Sequence, residues 1–583
     1  MSFFVAYQPD AHQDRIAGFV ERAADNGFAR AGELDHGRVR IVWFAALSGT
    51  RAPMHAESSG DFAIALGSLI HNGIASPDCL PRLLSSFAAE RFSWQDLLGT
   101  HTVLIRKHGQ LHVFGDGLGA SQLYTNAGGT VWSNSFLAML EIERPAQLDR
   151  QACLEYVIAG SVYGNRSLTE GIRSLPANCM LTFDPAGHAS EKQLPSPISS
   201  DSGDRLTSLD SAADYFNDRL DTIFAPVADN FGDRIRLSFS GGFDSRLMLA
   251  MLLRHGAHPR LFVYGQEDDE DVRIARLICH AEDLELNCID KSQAPITDRD
   301  AFATEIERNL YAFDGWKVET PLFDFGADRR DRIDRHANGD VPLNGSLGEI
   351  YRNFFYMPNR PSSTGALVST FYSQYDPRAF GALFSEADYR AGMQQAMREA
   401  IGSTHNRLQR FEVEQLYPNF RGRFWTGRDA QVNQRFGAMF FPFLEPVAIS
   451  DTARVSIGLK DLGRLQGRMI QRINSRLADY PSDYGFPLGG ERPLKYRLKS
   501  FVSTQRPPAL RKLSFRLTKR SMQARTGALA PDYLGTVIDL DFPAMRGLFD
   551  IDRINTASQY GAIATLEYLA ERYDLALPSD VRG

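Results

Sequence analysis

"LSFSGGFDSRLML", Leu237–Leu249, joins an apolar run to a helix-like run through two glycines, a carboxylate and serines. Within it, Ser240-Gly241-Gly242-Phe243-Asp244-Ser245 stands where a strand hands over to a helix, the place at which open α/β sheets bind ligands. Two glycines let the backbone approach an anion closely, and a helix N-terminus adds free N–H groups and a positive dipole end. Ser240 and Ser245 can donate hydroxyl hydrogen bonds to phosphate oxygens. Asp244 would repel phosphate alone, so it makes sense as a ligand to Mg²⁺, which takes carboxylate and phosphate oxygens together. The GK[ST] ending of a Walker A loop is absent. The alternative is a plain Gly-rich strand-to-helix turn.

Outward from this loop, strands and helices alternate. "SAADYFNDRLDTIFAPVADNF" reads as an amphipathic helix, "RIRLSFS" as a strand, "SRLMLAMLLRHG" as a helix and "RLFVYG" as a strand. "DVRIARLICHAEDL" (helix) and "LNCID" (strand) follow, so the pattern predicts a doubly wound parallel sheet, with helices dominating from about Asp376. On the N-terminal side, "LPSPISSDSGD", Leu194–Asp204, is a Ser/Pro-rich break that predicts a boundary between domains 1–205 and 206–583. Before it, "RVRIVWFAAL", "DFAIALG", "HTVLIRK", "LHVFGDG", "VWSNS" and "CMLTFD" read as short strands between turns, an antiparallel arrangement. "SPDCLPRLLSSFAAERF" is helix-like. The expected class is therefore α/β and α+β: an antiparallel sandwich followed by a parallel-sheet domain with a helical C-terminal part.

Composition bounds the function. The chain has 583 residues, 43% of them apolar and 23% charged, enough for two large cores. A net charge of −7 argues against a general nucleic-acid or membrane-surface binder. Cys79, Cys153, Cys179, Cys279 and Cys288 show no CxxC spacing, which suits a reducing, cytoplasmic setting. No signal peptide or membrane-length apolar run is read.

The SGGxDS loop resembles the pyrophosphate loop of ATP pyrophosphatases, which cut between the α- and β-phosphates. "RLFVYGQEDDEDVRIARLICHAEDLELNCID" and "PLNGSLGEIYRNFF" are similar to the ATP domain of class II asparagine synthetases. That resemblance implies ATP and Mg²⁺ as cofactors. It assigns the ATP site to Leu237, Ser238, Ser240, Gly241, Gly242, Asp244, Ser245, Val263, Tyr264, Gly265, Asp271 and Gly345, and the metal to Asp244 and Glu349. A solvated acidic turn is the other reading of Glu267–Asp271. "LHVFGDGLGASQLYT", "VWSNSFLAML" and "LDRQACLEYVIAGSVYGNRSLTEGIRSLPANCMLTFD" extend the resemblance through the N-terminal half, which in that family is an Ntn-type glutaminase.

The departures matter as much. The glutaminase nucleophile, a cysteine after the initiator methionine, is Ser2 here, and the RGPD signature is missing, so a retained scaffold is expected. The family's later glutamate and arginine fall on Ala438 and Phe440, and its late lysine falls near Asp483. Lys495, Lys499 and Tyr351 remain as candidates for the acyl-transfer step. Relatives without glutaminase activity include β-lactam synthetases and lasso peptide macrolactam synthetases, in which an adenylated carboxylate is captured by an amine of the same molecule. The resemblance thus implies an AMP-forming carbon–nitrogen ligase, in its sharpest version one that closes a ring in a precursor peptide, with a leader peptidase as partner. An asparagine-synthetase-like amidotransferase using ammonia or another amine, as in polysaccharide biosynthesis, is the second reading. An RNA-modifying ATP pyrophosphatase is the third. Glu491–Arg525 carries eleven Lys or Arg against one acidic residue. It fits a grip on pyrophosphate, an acidic leader peptide or RNA, and equally a solvated helix face.

Overall fold

Phe3, Val5 and Tyr7 point one way from the first strand, Phe4–Tyr7, while Phe4 and Ala6 point the other, and both faces are buried. That period of two sets the layering of the N-terminal half. The computed structural model describes residues 2–50, 52–198, 205–508, 510–511 and 524–578. Two six-stranded antiparallel sheets lie before residue 194. Phe4, Ala6, Val39 and Ile41 of one meet Phe62, Ile64, Leu104 and Val113 of the other in an apolar interior. The outer face of the first sheet packs on helices Pro9–Asp25 and Phe136–Glu143, and that of the second on helix Leu80–Ser86. The antiparallel sandwich is therefore covered by helices on both sides.

The parallel sheet has four strands in the spatial order Leu286–Ile289, Arg260–Tyr264, Ile235–Ser238, Val341–Leu343. Helices Phe243–Arg254 and Glu270–Glu282 make the first two crossovers. The chain steps outward twice from Ile235–Ser238, then returns to place Val341–Leu343 on that strand's other edge. The order reverses between these two strands, so a crevice opens where both carboxyl ends emerge. The expected parallel sheet is present, and its first three strands and two helices are those read from the alternating pattern.

Helices fill most of the chain after Glu386, among them Glu386–Ala400, Arg464–Ile473 and Ala557–Tyr573. One segment departs from the α pattern. Tyr417–Thr426 is a π-helix, a rare wide helix that is frequent at functional sites. Of the Ser/Pro-rich break, 199–204 lie outside the described residues, as do 509 and 512–523 of the basic stretch. Among the described residues no helix is long and apolar enough to cross a membrane, and all five cysteines are free.

Asp314 ties the N-terminal sandwich to the later helices. Its carboxylate accepts the Phe136 and Leu137 N–H groups at 2.9 and 3.1 Å, at the start of helix Phe136–Glu143. Arg428 and Arg435 reach it from the other side at 2.8 and 3.4 Å. Burial opposes its charge, yet the two guanidinium groups hold it below the ordinary carboxylate range.

Candidate active site

The loops Ser240–Ser245 and Asn344–Glu349 leave the two strands that flank the reversal point, so both project into the same crevice. Gly241 has φ +73°, and a Cβ there would run into Ile274 of the next helix. Helix Phe243–Arg254 begins at Gly242 with no side-chain cap, which leaves first-turn N–H groups for a ligand. Ser240 Oγ and Ser245 Oγ are 3.5 Å apart. The second loop closes against the first: a Cβ on Gly345 would sit 2.8 Å from Met248 and one on Gly348 would collide with the Asp244 carboxylate. Between these glycines, Leu347 is left-handed (φ +78°) although it is not glycine, and its buried side chain packs at Gly422 of the π-helix. Strain of this kind persists only where the surroundings enforce it.

The loops meet at charge. Asp244 Oδ2 accepts from Arg352 Nη2 at 2.7 Å, and Asp244 Oδ1 accepts from Gln466 Nε2 at 2.7 Å. Glu349 lies 3.4 Å from the same Arg352 nitrogen and accepts from the Tyr417 hydroxyl at 2.8 Å. Arg352 also donates to the Tyr484 hydroxyl at 3.0 Å and lies 5.4 Å above the Phe243 ring. Burial pushes Asp244 up to about 7, with Glu349 adding to the rise and Arg352 pulling against it. Asp483 faces Gly242 and is pushed up to about 6 by burial and by Asp271. The position expected to carry a lysine thus presents a third carboxylate to the loop.

The two carboxylates expected to hold Mg²⁺ are brought together, since one guanidinium spans both. Among the described residues no group of three His, Cys, Asp or Glu could cage a metal by itself. Two carboxylates suffice for Mg²⁺ when substrate phosphates complete its shell, so the residues fit that ion in partnership with ATP.

The remaining expected ATP residues form the sheet side of the crevice. Leu237 and Val263 are buried in their strands, and Ser238 is half-buried. Tyr264 donates to Asp331 at 2.6 Å and stands under Lys291 at 4.3 Å. Gly265 has φ +142°, a conformation close to closed to side chains, and Asp271 opens the next helix. Arg246 is wholly buried: it donates to the Gly241, Tyr480 and Pro481 carbonyls at 2.6, 2.9 and 2.7 Å, and so pins the glycine loop to the Tyr480–Pro481 turn.

The three acyl-transfer candidates sit elsewhere. Tyr351 is fully buried, donates to the Ala448 carbonyl at 3.2 Å and packs between Phe216 and Phe443, so it is a core residue rather than a group facing the crevice. Lys495 and Lys499 are exposed on helix Leu494–Gln505, and neither forms a described bond to the loops. Phe440, on the family's arginine position, is buried and bonds backbone to backbone with Pro342 and Asn344, extending the sheet by one bridge. Arg352, Gln466, Tyr417 and Gly348 are the site residues that sequence reading missed. Only Gly348 carried a local signal, as the second glycine of "NGSLGE".

At the other candidate site, Ser2 is buried and its hydroxyl has no partner among the described residues. The void beside it is about 10 Å³, bordered by Asn134, Gln434 and Arg435. Arg435 stacks at 4.3 Å on Phe3 and 4.5 Å on Phe28 and is held by Asp314.

No protein-family model matches the chain, and no curated protein matches it in sequence. Among solved structures, it is similar to glutamine phosphoribosylpyrophosphate amidotransferase from B. subtilis, complexed with ADP and GMP. The identity is 10%, the match covers 51% of this chain and 82% of that one, and the TM-score is 0.21. A second similar structure, described as the allosteric regulatory enzyme of purine biosynthesis, has 10% identity, covers 51% of this chain and 81% of its own, and has a TM-score of 0.22.

Proposed function

We propose that the chain is an ATP-dependent, AMP-forming amide ligase. The observation that carries this reading is the convergence of Asp244 and Glu349 on Arg352, at the mouth of a glycine loop on the reversal point of a parallel sheet. Gly241, Gly242, Ser240 and Ser245 would take the β- and γ-phosphates, and Val263, Tyr264 and Gly265 would line the base. Asp244 and Glu349 would hold Mg²⁺, which supplies charge neutralisation of the departing pyrophosphate. Arg352, once exchanged off Asp244, offers its guanidinium to the same leaving group. The substrate carboxylate attacks the α-phosphorus and pyrophosphate leaves; an amine then attacks the acyl carbon and AMP leaves.

The source of the amine separates the versions of this reading. The void beside Ser2 is too small for a glutamine side chain and is bordered by a fixed Arg435, which favours an amine supplied by the substrate itself. Holding both groups in one molecule can replace roughly 7–11 kcal/mol of barrier by proximity. Helix Leu494–Gln505 favours a peptide as that molecule. Leu494, Leu498, Phe501 and Val502 are exposed among Lys495, Arg497 and Lys499, and Tyr496 packs on Phe486 at 4.8 Å beside Tyr484 of the site. Ring closure of a ribosomal precursor peptide, with a leader peptidase as partner, is the sharpest form. The test is product identity: with Mg²⁺ and a turned-over substrate, chromatography should find AMP and pyrophosphate. ADP and phosphate would overturn the adenylation chemistry.

A further inference from the structure

The wide turns of Tyr417–Thr426 give the chain a second concavity next to the first. Arg421, near the middle of this π-helix, lines an open cavity of about 540 Å³, within the range of small-molecule sites, while Tyr417 and Trp425 flank it along the helix. Phe354, Phe371 and Tyr372 give it aromatic walls, and Gly160, Thr320 and Ser558 close it from other parts of the chain. Among the described residues only two charged ones line it, Arg421 and Glu319. The Arg421 guanidinium lies over the Trp425 ring at 4.4 Å and near Phe354 at 5.7 Å. Its ion pair with Glu319 is long, 3.5 Å, and the Glu319 side chain is 53% exposed. Besides the long pair with Glu319, the guanidinium interacts with the Tyr372 hydroxyl. A planar cation among rings whose carboxylate partner is long is suited to receive a ligand carboxylate, which accepts two parallel hydrogen bonds from arginine. The cavity adjoins the loops: Phe354 stacks on Tyr417 at 3.9 Å, and the Tyr417 hydroxyl donates to Glu349.

We propose that this cavity binds an apolar or aromatic organic acid, its carboxylate on Arg421 and its body between the Phe354, Phe371 and Tyr372 rings. Identifying that acid as the acyl substrate rests on the ligase reading above; the site itself does not. Glu319 is then the competing anion that a ligand displaces.

The experiment titrates the full chain, without ATP, with 3-phenylpropionate and with its uncharged amide, following tryptophan emission. Trp425→Phe identifies the reporting ring. The acid should bind at least about tenfold more tightly than the amide, and Arg421→Gln should erase that preference. Glu319→Gln should tighten the acid several-fold and leave the amide unchanged, an improvement that a misfolded variant cannot produce. Equal binding of acid and amide, binding of neither, or a preference that survives in Arg421→Gln would overturn the proposal. Because no nucleotide is present, acid binding with ADP as the later product would remove the ligase reading and leave this site standing, and the reverse pair of results would do the opposite.

Discussion

Arg352 Nη2 lies 2.7 Å from Asp244 Oδ2, and that one contact holds a cation where the two carboxylates proposed to bind Mg²⁺ meet. If Mg²⁺ binds as proposed, metal and guanidinium compete for Asp244. Replacing Arg352 by Met should strengthen Mg²⁺ binding to the ATP-free protein, because Asp244 and Glu349 lose their internal counter-ion. The same variant should lose about 100- to 1,000-fold in pyrophosphate release, since the leaving group loses a fixed cation. Asp244→Asn should lose comparable turnover and weaken the metal instead. A manganese titration alongside a pyrophosphate assay reads both signs, and unchanged metal binding in Arg352→Met would reject the competition.

Metal binding should also depend on pH in a specified direction. Burial raises Asp244 to about 7 and Asp483 to about 6, and only the carboxylate form of Asp244 can ligate Mg²⁺. Affinity should be full above pH 7 and fall as the pH drops through 7 towards 6. Isothermal titration of Mg²⁺ between pH 5.5 and 8.5 measures this. Asp244→Asn should flatten the profile, whereas Asp483→Asn should keep the fall but move it to slightly lower pH, since the Asp483 charge adds to the rise at Asp244.

Glutamine should not serve as the nitrogen source. Ser2 faces a void smaller than a ligand, and a hydroxyl is far less ionised than a thiol near neutral pH. Glutamate release from glutamine should stay at background with and without ATP, and Ser2→Ala should leave synthesis unchanged. Hydrolysis that disappears in Ser2→Ala would reverse this conclusion and bring the ammonia-using amidotransferase forward.

Glu445 supplies a stability test remote from the nucleotide site. It is buried and accepts the Gly99 N–H at 2.8 Å; burial, helped by Asp116, pushes its carboxyl up to about 8. Between the unfolded value near 4 and about 8, the folded chain therefore holds the extra proton, so this group's contribution to stability falls as the pH rises through that window. Glu445→Gln keeps the acceptor and cannot ionise. It should be more stable than the parent at pH 8.5, by a few kcal/mol at most, and nearly equal to it at pH 5. Urea midpoints at the two pH values decide it.

How much of this was legible follows from where each signal is stored. Phe62–Gly67, His101–Lys107 and Arg260–Tyr264 announce themselves as apolar runs between turn residues, and the glycine loop announces a strand-to-helix turn. The strands Arg30–His36 and Ala189–Gln193 were missed because they lie at sheet edges, where polar side chains face water and the apolar pattern fades. Arg352 and Gln466 reach Asp244 across 108 and 222 positions of sequence, so no local pattern marks them. Tyr351, beside them, looked just as available in one dimension; the fold turns it into the core and Arg352 into the crevice. The π-helix is likewise silent, since "YPNFRGRFWT" reads as an interrupted α-helix.

The bond from Asp314 to the first turn of helix Phe136–Glu143 bears on how such a chain can be inherited. Ser135 caps the helix locally, and its first N–H groups are taken by a carboxylate 178 positions later that is itself neutralised by two arginines beyond it. A sandwich exchanged in from another protein would keep a cap such as Ser135 but lose the acceptor for its Phe136 and Leu137 N–H groups, and the later helices would be left with a buried aspartate short of two donors. Loss of chemistry at Ser2 would not relax this requirement. The contact of Asp314 with Phe136 and Leu137 is thus a structural tie between the two halves that does not depend on what chemistry Ser2 performs.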